Sequence, residues 1–254
     1  MRIWAVAVNT FKETRRNKIL LNILIFAVFL ILFSFIVGDW SMGHQIKVIK
    51  DIGLSAMSIF GLLIAIFIGI QLVIQELKEK TIYLIASKPI KRWEIVIGKY
   101  LGLSITLFIN IILMSVALWC IGYIMEGSFD FSLIPAIVLI YVEILLIIAF
   151  SLLFSSFTSP TLSAIYTFVI FILGHLSPFL RDYVKLYPDK GFHWLIKTIY
   201  YIIPNFENLN LKLAVVEHLS IPPHFLSYGL LYGLLYISLI LLITCLIFNK
   251  KDFK

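Results

Sequence analysis

Six long apolar runs, at residues 19–37, 52–74, 100–122, 132–154, 161–178 and 226–248, govern what this chain can become. Each approaches the roughly 20 residues needed to cross the hydrocarbon core of a bilayer. Lipid offers no water to unpaired backbone groups, so each run must be helical. The expected fold is all-α, with six transmembrane helices in one transmembrane domain over residues 1–254. Composition agrees. The chain is 61% hydrophobic and only 14% charged, against about 25% charged in ordinary soluble domains, and its mean hydropathy is +1.02.

The placement of lysine and arginine predicts orientation, because basic residues near span ends are retained in the cytoplasm. The N-terminal segment, the second and fourth connections and the tail carry 14 of them, and the first, third and fifth connections carry 7. Acids fall the other way, 5 against 8. Both termini are therefore expected on the cytoplasmic side of the cell (inner) membrane. The net charge of +7 reads as a topology signal, since the basic residues hug span ends and form no stripe for nucleic acid. A cleavable leader is not expected, because no short apolar core with a small-residue cleavage site follows the N-terminus. Cys120 and Cys245 fall near opposite ends of their spans, beyond disulfide reach, and read as two buried apolar side chains.

Smaller elements lie between the spans. Ile3, Trp4, Ala7, Val8 and Phe11 share one helical face, which predicts a helix along the inner leaflet, with Arg15 snorkelling; the plainer reading is a basic anchor. The fifth connection, 177–225, is far longer than a usual helix–helix link and should have structure of its own. Its piece 192–204 is too short to span and is expected to lie on or dip into the outer leaflet. A second short helix is expected around 208–218. Small residues four apart, Gly61/Ala65/Gly69, Gly98/Gly102 and Gly229/Gly233, predict close helix approach, with internal packing preferred to a dimer face.

Charge concentrates in the second connection. Nine of the 26 residues in QELKEKTIYLIASKPIKRWEIVIGKY, 75–100, are charged. Leu77, Thr81, Leu84 and Ile85 recur at helical spacing, and Pro89 stops one helix and presets the next, whose first turn Glu94 favours. The expectation is two short amphipathic helices with an elbow at 87–89. Such a pair could rest on lipid headgroups, but Glu76, Glu79 and Glu94 would be repelled by an anionic leaflet, so the mixed charge fits a protein partner better.

The succession Glu76, Glu79, Thr81-Ile82, Ser87-Lys88-Pro89-Ile90, Arg92, Glu94 and Gly98-Lys99 resembles the first cytoplasmic loop of ATP-binding-cassette (ABC) exporter permeases of the second type, which have the type V exporter fold. The opening IWAVAVNTFKETRRNKILLNILIF is similar to the subgroup named for multicopper-enzyme maturation, which includes the nitrous oxide reductase maturation permease. The resemblance implies that the elbow is a coupling helix docking on a cytoplasmic ABC ATPase, with Glu76, Glu79, Thr81, Leu84, Ile85, Ser87, Pro89 and Arg92 as the coupling residues. It also implies that the fifth connection is the family's outer helical hairpin and that two membrane chains, as a homodimer, work with two ATPases. The chain itself lacks a phosphate-cradling G-x-x-x-x-G-K-[ST] loop, since Trp93 stands where the first glycine would precede Gly98-Lys99. It is thus expected to be a non-catalytic subunit without a cofactor of its own, ATP and Mg belonging to the partner ATPase.

Polar residues inside the spans are few: Asn22, Gln71, Asn110 and Glu143. Glu143 falls at the middle of the fourth span, where an ionised side chain facing lipid would cost at least about 2.5 kcal/mol. The economical reading is a protonated carboxyl bonded to a neighbouring helix, with Asn110 and Asn22 as candidate partners; the functional alternative is a proton-linked group. His44, His175, His193, His218 and His224 all fall on the outer side or at outer span ends, none spaced for a local metal site. No nucleophile and base can be paired for an intramembrane enzyme. The second functional reading is a non-transporting mechanical or sensory subunit that passes ATPase strokes to an extracytoplasmic accessory protein. No motif in the spans selects a cargo.

Overall fold

The computed structural model describes residues 2–41, 43–79, 91–186 and 193–250. In order, the helices are α1 (Arg2–Arg15), α2 (Lys18–Asp39), α3 (Gln45–Glu79), α4 (Arg92–Glu126), α5 (Ile134–Phe157), α6 (Pro160–His175), α7 (Ser177–Leu186), α8 (His193–Ile202), α9 (Lys212–Val216) and α10 (Phe225–Lys250). Short 3-10 turns lie at Phe131–Leu133 and Phe206–Leu209. No strand occurs among the described residues.

Five helices, α2, α3, α4, α5 and α10, are long and apolar enough to cross a bilayer. The fifth predicted span, 161–178, is broken instead. The Leu176 N–H turns back to the Gly174 and Ile172 carbonyls, and Pro178 suits the start of a new helix. The pair α6 and α7 is bent by 58° there. With 16 residues, α6 rises only about 24 Å, short of the roughly 30 Å core.

α3 and α5 form the centre of the bundle: 72% of each apolar window is buried, against 22% for α2 and α10. Glycine allows this closeness. A methyl group at Gly61 would strike Ile144 of α5, and one at Gly69 would lie 2.5 Å from Ser151 Oγ. Gly229 faces Leu139, and Gly233 faces Val142. Gly98 and Gly102 receive α1, with the Ala7 carbonyl 2.6 Å from a Cβ built at Gly102. All three small-residue spacings are therefore taken up within the chain.

This packing defines the orientation of α1. Ala7, Thr10 and Thr14 are buried against α4, whereas Trp4 is 61% exposed and Val8 and Phe11 are half-buried. The predicted apolar face is thus split, because the glycine notch selects the small residues and leaves the aromatic one outside. At the same end, the Arg92 guanidinium of α4 donates to the Asn249 carbonyl of α10 at 3.3 Å. Both ends of the chain accordingly lie at one face of the bundle, here the terminal face; the opposite one is the far face. Cys120 is exposed and Cys245 half-buried, both free thiols, so neither is the fully buried side chain expected; their helices turn them toward the outer surface of the bundle.

Candidate functional site

At the terminal face, the described parts of the 75–99 connection are the ends of α3 and α4. α3 continues unbroken through Glu76 to Glu79, so the first predicted amphipathic helix begins as an extension of the span. Thr81, Leu84, Ile85, Ser87 and Pro89 lie outside the described residues. α4 begins as its sequence predicts: the Glu94 carboxylate accepts from the Lys91 backbone N–H at 2.8 Å, closing the first turn and favouring the helix dipole. Arg92 caps the last turn of α10, where a cation is stabilised by exposed carbonyls. The α4 end of this connection is thus packed against α1 and bonded to α10.

At the far face, the chain between α8 and α10 does not stay on the surface. Ile203, Phe206, Leu209, Leu211, Val215 and Val216 are all buried. The Phe206 ring lies against Gly174, where a Cβ would strike it, and beside the Phe171 and His175 rings at 6.1 and 5.5 Å. Non-helical backbone at such depth is tolerated only where protein satisfies it. Here the Asn205 side chain accepts from the Glu207 N–H at 3.0 Å, and the Asn210 amide donates to the Glu207 carboxylate at 3.2 Å. The Asn210 side-chain Oδ1 accepts from the Lys212 N–H at 3.2 Å, and the Tyr232 phenol oxygen accepts from the Asn205 N–H at 2.7 Å. The segment 203–216, here the plug segment, thus folds back into the bundle with most of its apolar side chains buried. The expected second short helix exists only as the turn at Phe206–Leu209 and the five-residue α9, and it is buried where an interfacial helix was expected.

Beneath this plug sits Glu143, fully buried. Its partners are not the expected ones. Ser58 of α3 donates to Oε1 at 3.3 Å, and His175 Nε2 of α6 lies 3.5 Å from the same oxygen. Oε2 has no hydrogen-bond partner among the described residues. Asn110 donates instead to the Thr106 carbonyl of its own helix at 3.0 Å, and Asn22 is exposed near the terminal end of α2. Gln71 lies on α3 well past Ser58, about 20 Å further along the helix axis and so at a different depth from Glu143. The sequence places His175 at an outer span end and Glu143 at mid-span, which would separate them. They meet because α6 stops short, so its far end lies at the depth of Glu143, about 14 Å inside Ile134. A depth count using the true length of α6 would have found the pair.

Two ion pairs hold the far ends of the helices. Buried Lys50 of α3 reaches Asp130 at 2.7 Å and Glu126 at 3.3 Å. Partial burial pushes the Asp130 carboxyl up, but the bond to Lys50, those to Ser132 and the lysine charge outweigh it and hold the group down at about 2. Lys47 meets Glu217, just after α9, at 2.6 Å, and that bond followed by the lysine charge lowers the Glu217 carboxyl. No group of three His, Cys, Asp or Glu among the described residues is arranged to hold a metal ion.

The profile of the family described as ABC-2 family transporter protein matches residues 4–253. No curated protein matches the chain. With the family match running through all the apolar helices, the broken α6–α7 pair and the 203–216 segment before α10, the chain belongs to the ABC-2 family of transporter proteins and is a multi-pass membrane permease.

Proposed function

We propose that the chain is the membrane subunit of an ATP-driven exporter whose energy comes from a separate cytoplasmic ABC ATPase docking on the 75–99 connection. The observation that carries this reading is mechanical. The connection joins α3 to α4 at the terminal face, where α4 is also locked to α1 through Gly98 and Gly102 and to α10 through Arg92. A partner pressing there moves four helices together. The cytoplasm is on this face by the lysine and arginine bias, and Glu76, Glu79, Thr81, Leu84, Ile85, Ser87 and Pro89 form the docking surface. Leu84 and Ile85 anchor it and the charges select the partner. For ATP to do work, the ATPase must bind the connection differently in its two nucleotide states, since only differential affinity shifts a conformational equilibrium.

Two such chains working as a homodimer of the type V fold enclose the path, and the plug closes its far end. The N-terminal run is similar to the multicopper-enzyme-maturation subgroup, a similarity that does not select a cargo. A second reading, force transmission to an extracytoplasmic protein without transport, is favoured by the surface of α7 and α8, where Phe179, Trp194, Tyr201 and Ile202 are each about 70% exposed.

The test is purification of the tagged chain from its native membrane in mild detergent, with bound proteins identified by mass spectrometry. The reading expects a stoichiometric ATPase that is lost when Glu79→Lys and Leu84→Gln are combined. A folded preparation without any ATPase would overturn it, and ATPase activity responding to an outer protein in place of a small solute would select the second reading.

A further inference from the structure

The contact between Glu143 and His175 specifies a proton. His175 Nδ1 lies 3.2 Å from the Phe171 carbonyl oxygen, which can only accept, so Nδ1 carries a hydrogen. Nε2 is then left facing Glu143 Oε1 at 3.5 Å. Without a further proton, a nitrogen lone pair faces a buried carboxylate, and the two repel. One proton, on either atom, makes the contact attractive.

The charges around the pair lead to the same count. The plug brings Lys212 and Glu207, of opposite sign, to bear on Glu143. α3 contributes the neutral Ser58 hydroxyl. α4 meets α5 through the Ser104 carbonyl and the Tyr141 hydroxyl, and α10 brings the Tyr232 phenol, engaged by Asn205. The site is therefore neutral when the pair carries one proton, and negative when it carries none. A buried uncompensated charge is unfavourable unless water reaches it. Water can reach Glu143 if the plug lifts, because the His175 ring lies against Phe206 of the plug.

We propose that Glu143 and His175 share one proton and that this proton latches the 203–216 plug into the bundle, so that its loss unseats the plug. The seat is a pH-responsive device, independent of the ATPase and of the cargo. Its test reads seating and not transport, so its failure would leave the permease reading intact.

The full-length chain in lipid nanodiscs, with Cys120 and Cys245 changed to alanine, would carry one reporter, Val216→Cys, at a plug position only 4% exposed. Leu219→Cys, at a position 56% exposed, serves as reference and corrects for thiol ionisation. The readout is the ratio of their modification rates by a charged methanethiosulfonate. Loss of one proton allows a rise of up to about tenfold per pH unit, and the ratio should rise at least about tenfold between about pH 6 and pH 9. Glu143→Gln keeps a donor facing His175, and Glu143→Met removes the charge altogether, so the ratio should be low and flat in both. Either folded variant suffices. A flat ratio in the parent chain, or the parent's slope retained in a folded variant, would overturn the proposal.

Discussion

Two glycines of α4 should respond to the same substitution with opposite sign. A Cβ at Gly102 would lie 2.6 Å from the Ala7 carbonyl oxygen and 2.7 Å from Thr10 Cβ. Both obstacles are close to the α1 backbone and cannot rotate away, so α1 must retreat by nearly 1 Å to reach ordinary contact at about 3.4 Å. Overpacking of this kind costs about 1–3 kcal/mol. The helical preference of alanine over glycine returns up to about 1 kcal/mol. Gly102→Ala should therefore destabilise the docking of α1 by about 1–2 kcal/mol, or about tenfold in the docked population. Gly122, on the same helix, has nothing within 4 Å of the point where a methyl group would stand. Gly122→Ala thus keeps only the propensity gain and should stabilise by up to about 1 kcal/mol. Hydrogen exchange of the α1 amides reads the docking, and equilibrium unfolding in mixed micelles reads the whole chain. Exchange in α1 should quicken about tenfold in the first variant and stay unchanged in the second. Equal shifts of the same sign would show that α1 does not seat in the Gly98/Gly102 notch.

Asp130→Asn should cost roughly 2 kcal/mol at neutral pH, the equivalent of its lowered carboxyl value, and adding Lys50→Met should recover part of it by removing the buried ammonium; thermal unfolding of the single and double variants checks this. Because the Asp130 value is depressed, its contribution is full above the ordinary 3.8 and is lost as the pH falls through about 2, so the parent chain should lose its advantage over Asp130→Asn across that window. Tyr232→Phe strands the Asn205 N–H and should cost about 1–3 kcal/mol, read as faster hydrogen exchange in the plug with the spans unchanged.

Much of the architecture is legible in the residues. Five of the six spans occur as helices with longer ends, because backbone satisfaction in lipid leaves no other form. The glycine spacings announce close approach, and internal packing accounts for Gly61, Gly98, Gly229 and their neighbours. Glu94 caps the helix it is expected to favour. The departures share a cause. Periodicity groups Ala7 with Trp4 on one apolar face expected along the inner leaflet, yet a glycine notch on α4 takes Ala7 and Thr10 and leaves Trp4 exposed. Asn110 and Glu143 are both polar and intramembrane, but helical phase turns Asn110 back onto Thr106. His175 reads as an interfacial imidazole only if the span around it is whole, and that span is broken.

The chain's own order of residues was enough to determine a multi-pass helical protein, the family resemblance and a second connection where charge concentrates. These follow from local quantities: transfer free energy along a run, charge near span ends, and residue types at fixed spacing. Tertiary structure alone decided which side chains meet across helices. The depth at which α6 ends, the return of 203–216 into the bundle and the buried contact of Glu143 with Ser58 and His175 depend on how elements far apart in the chain are stacked. Hydropathy measures whether a residue leaves water; it carries no information on which neighbour, among all those at the same depth, will satisfy it.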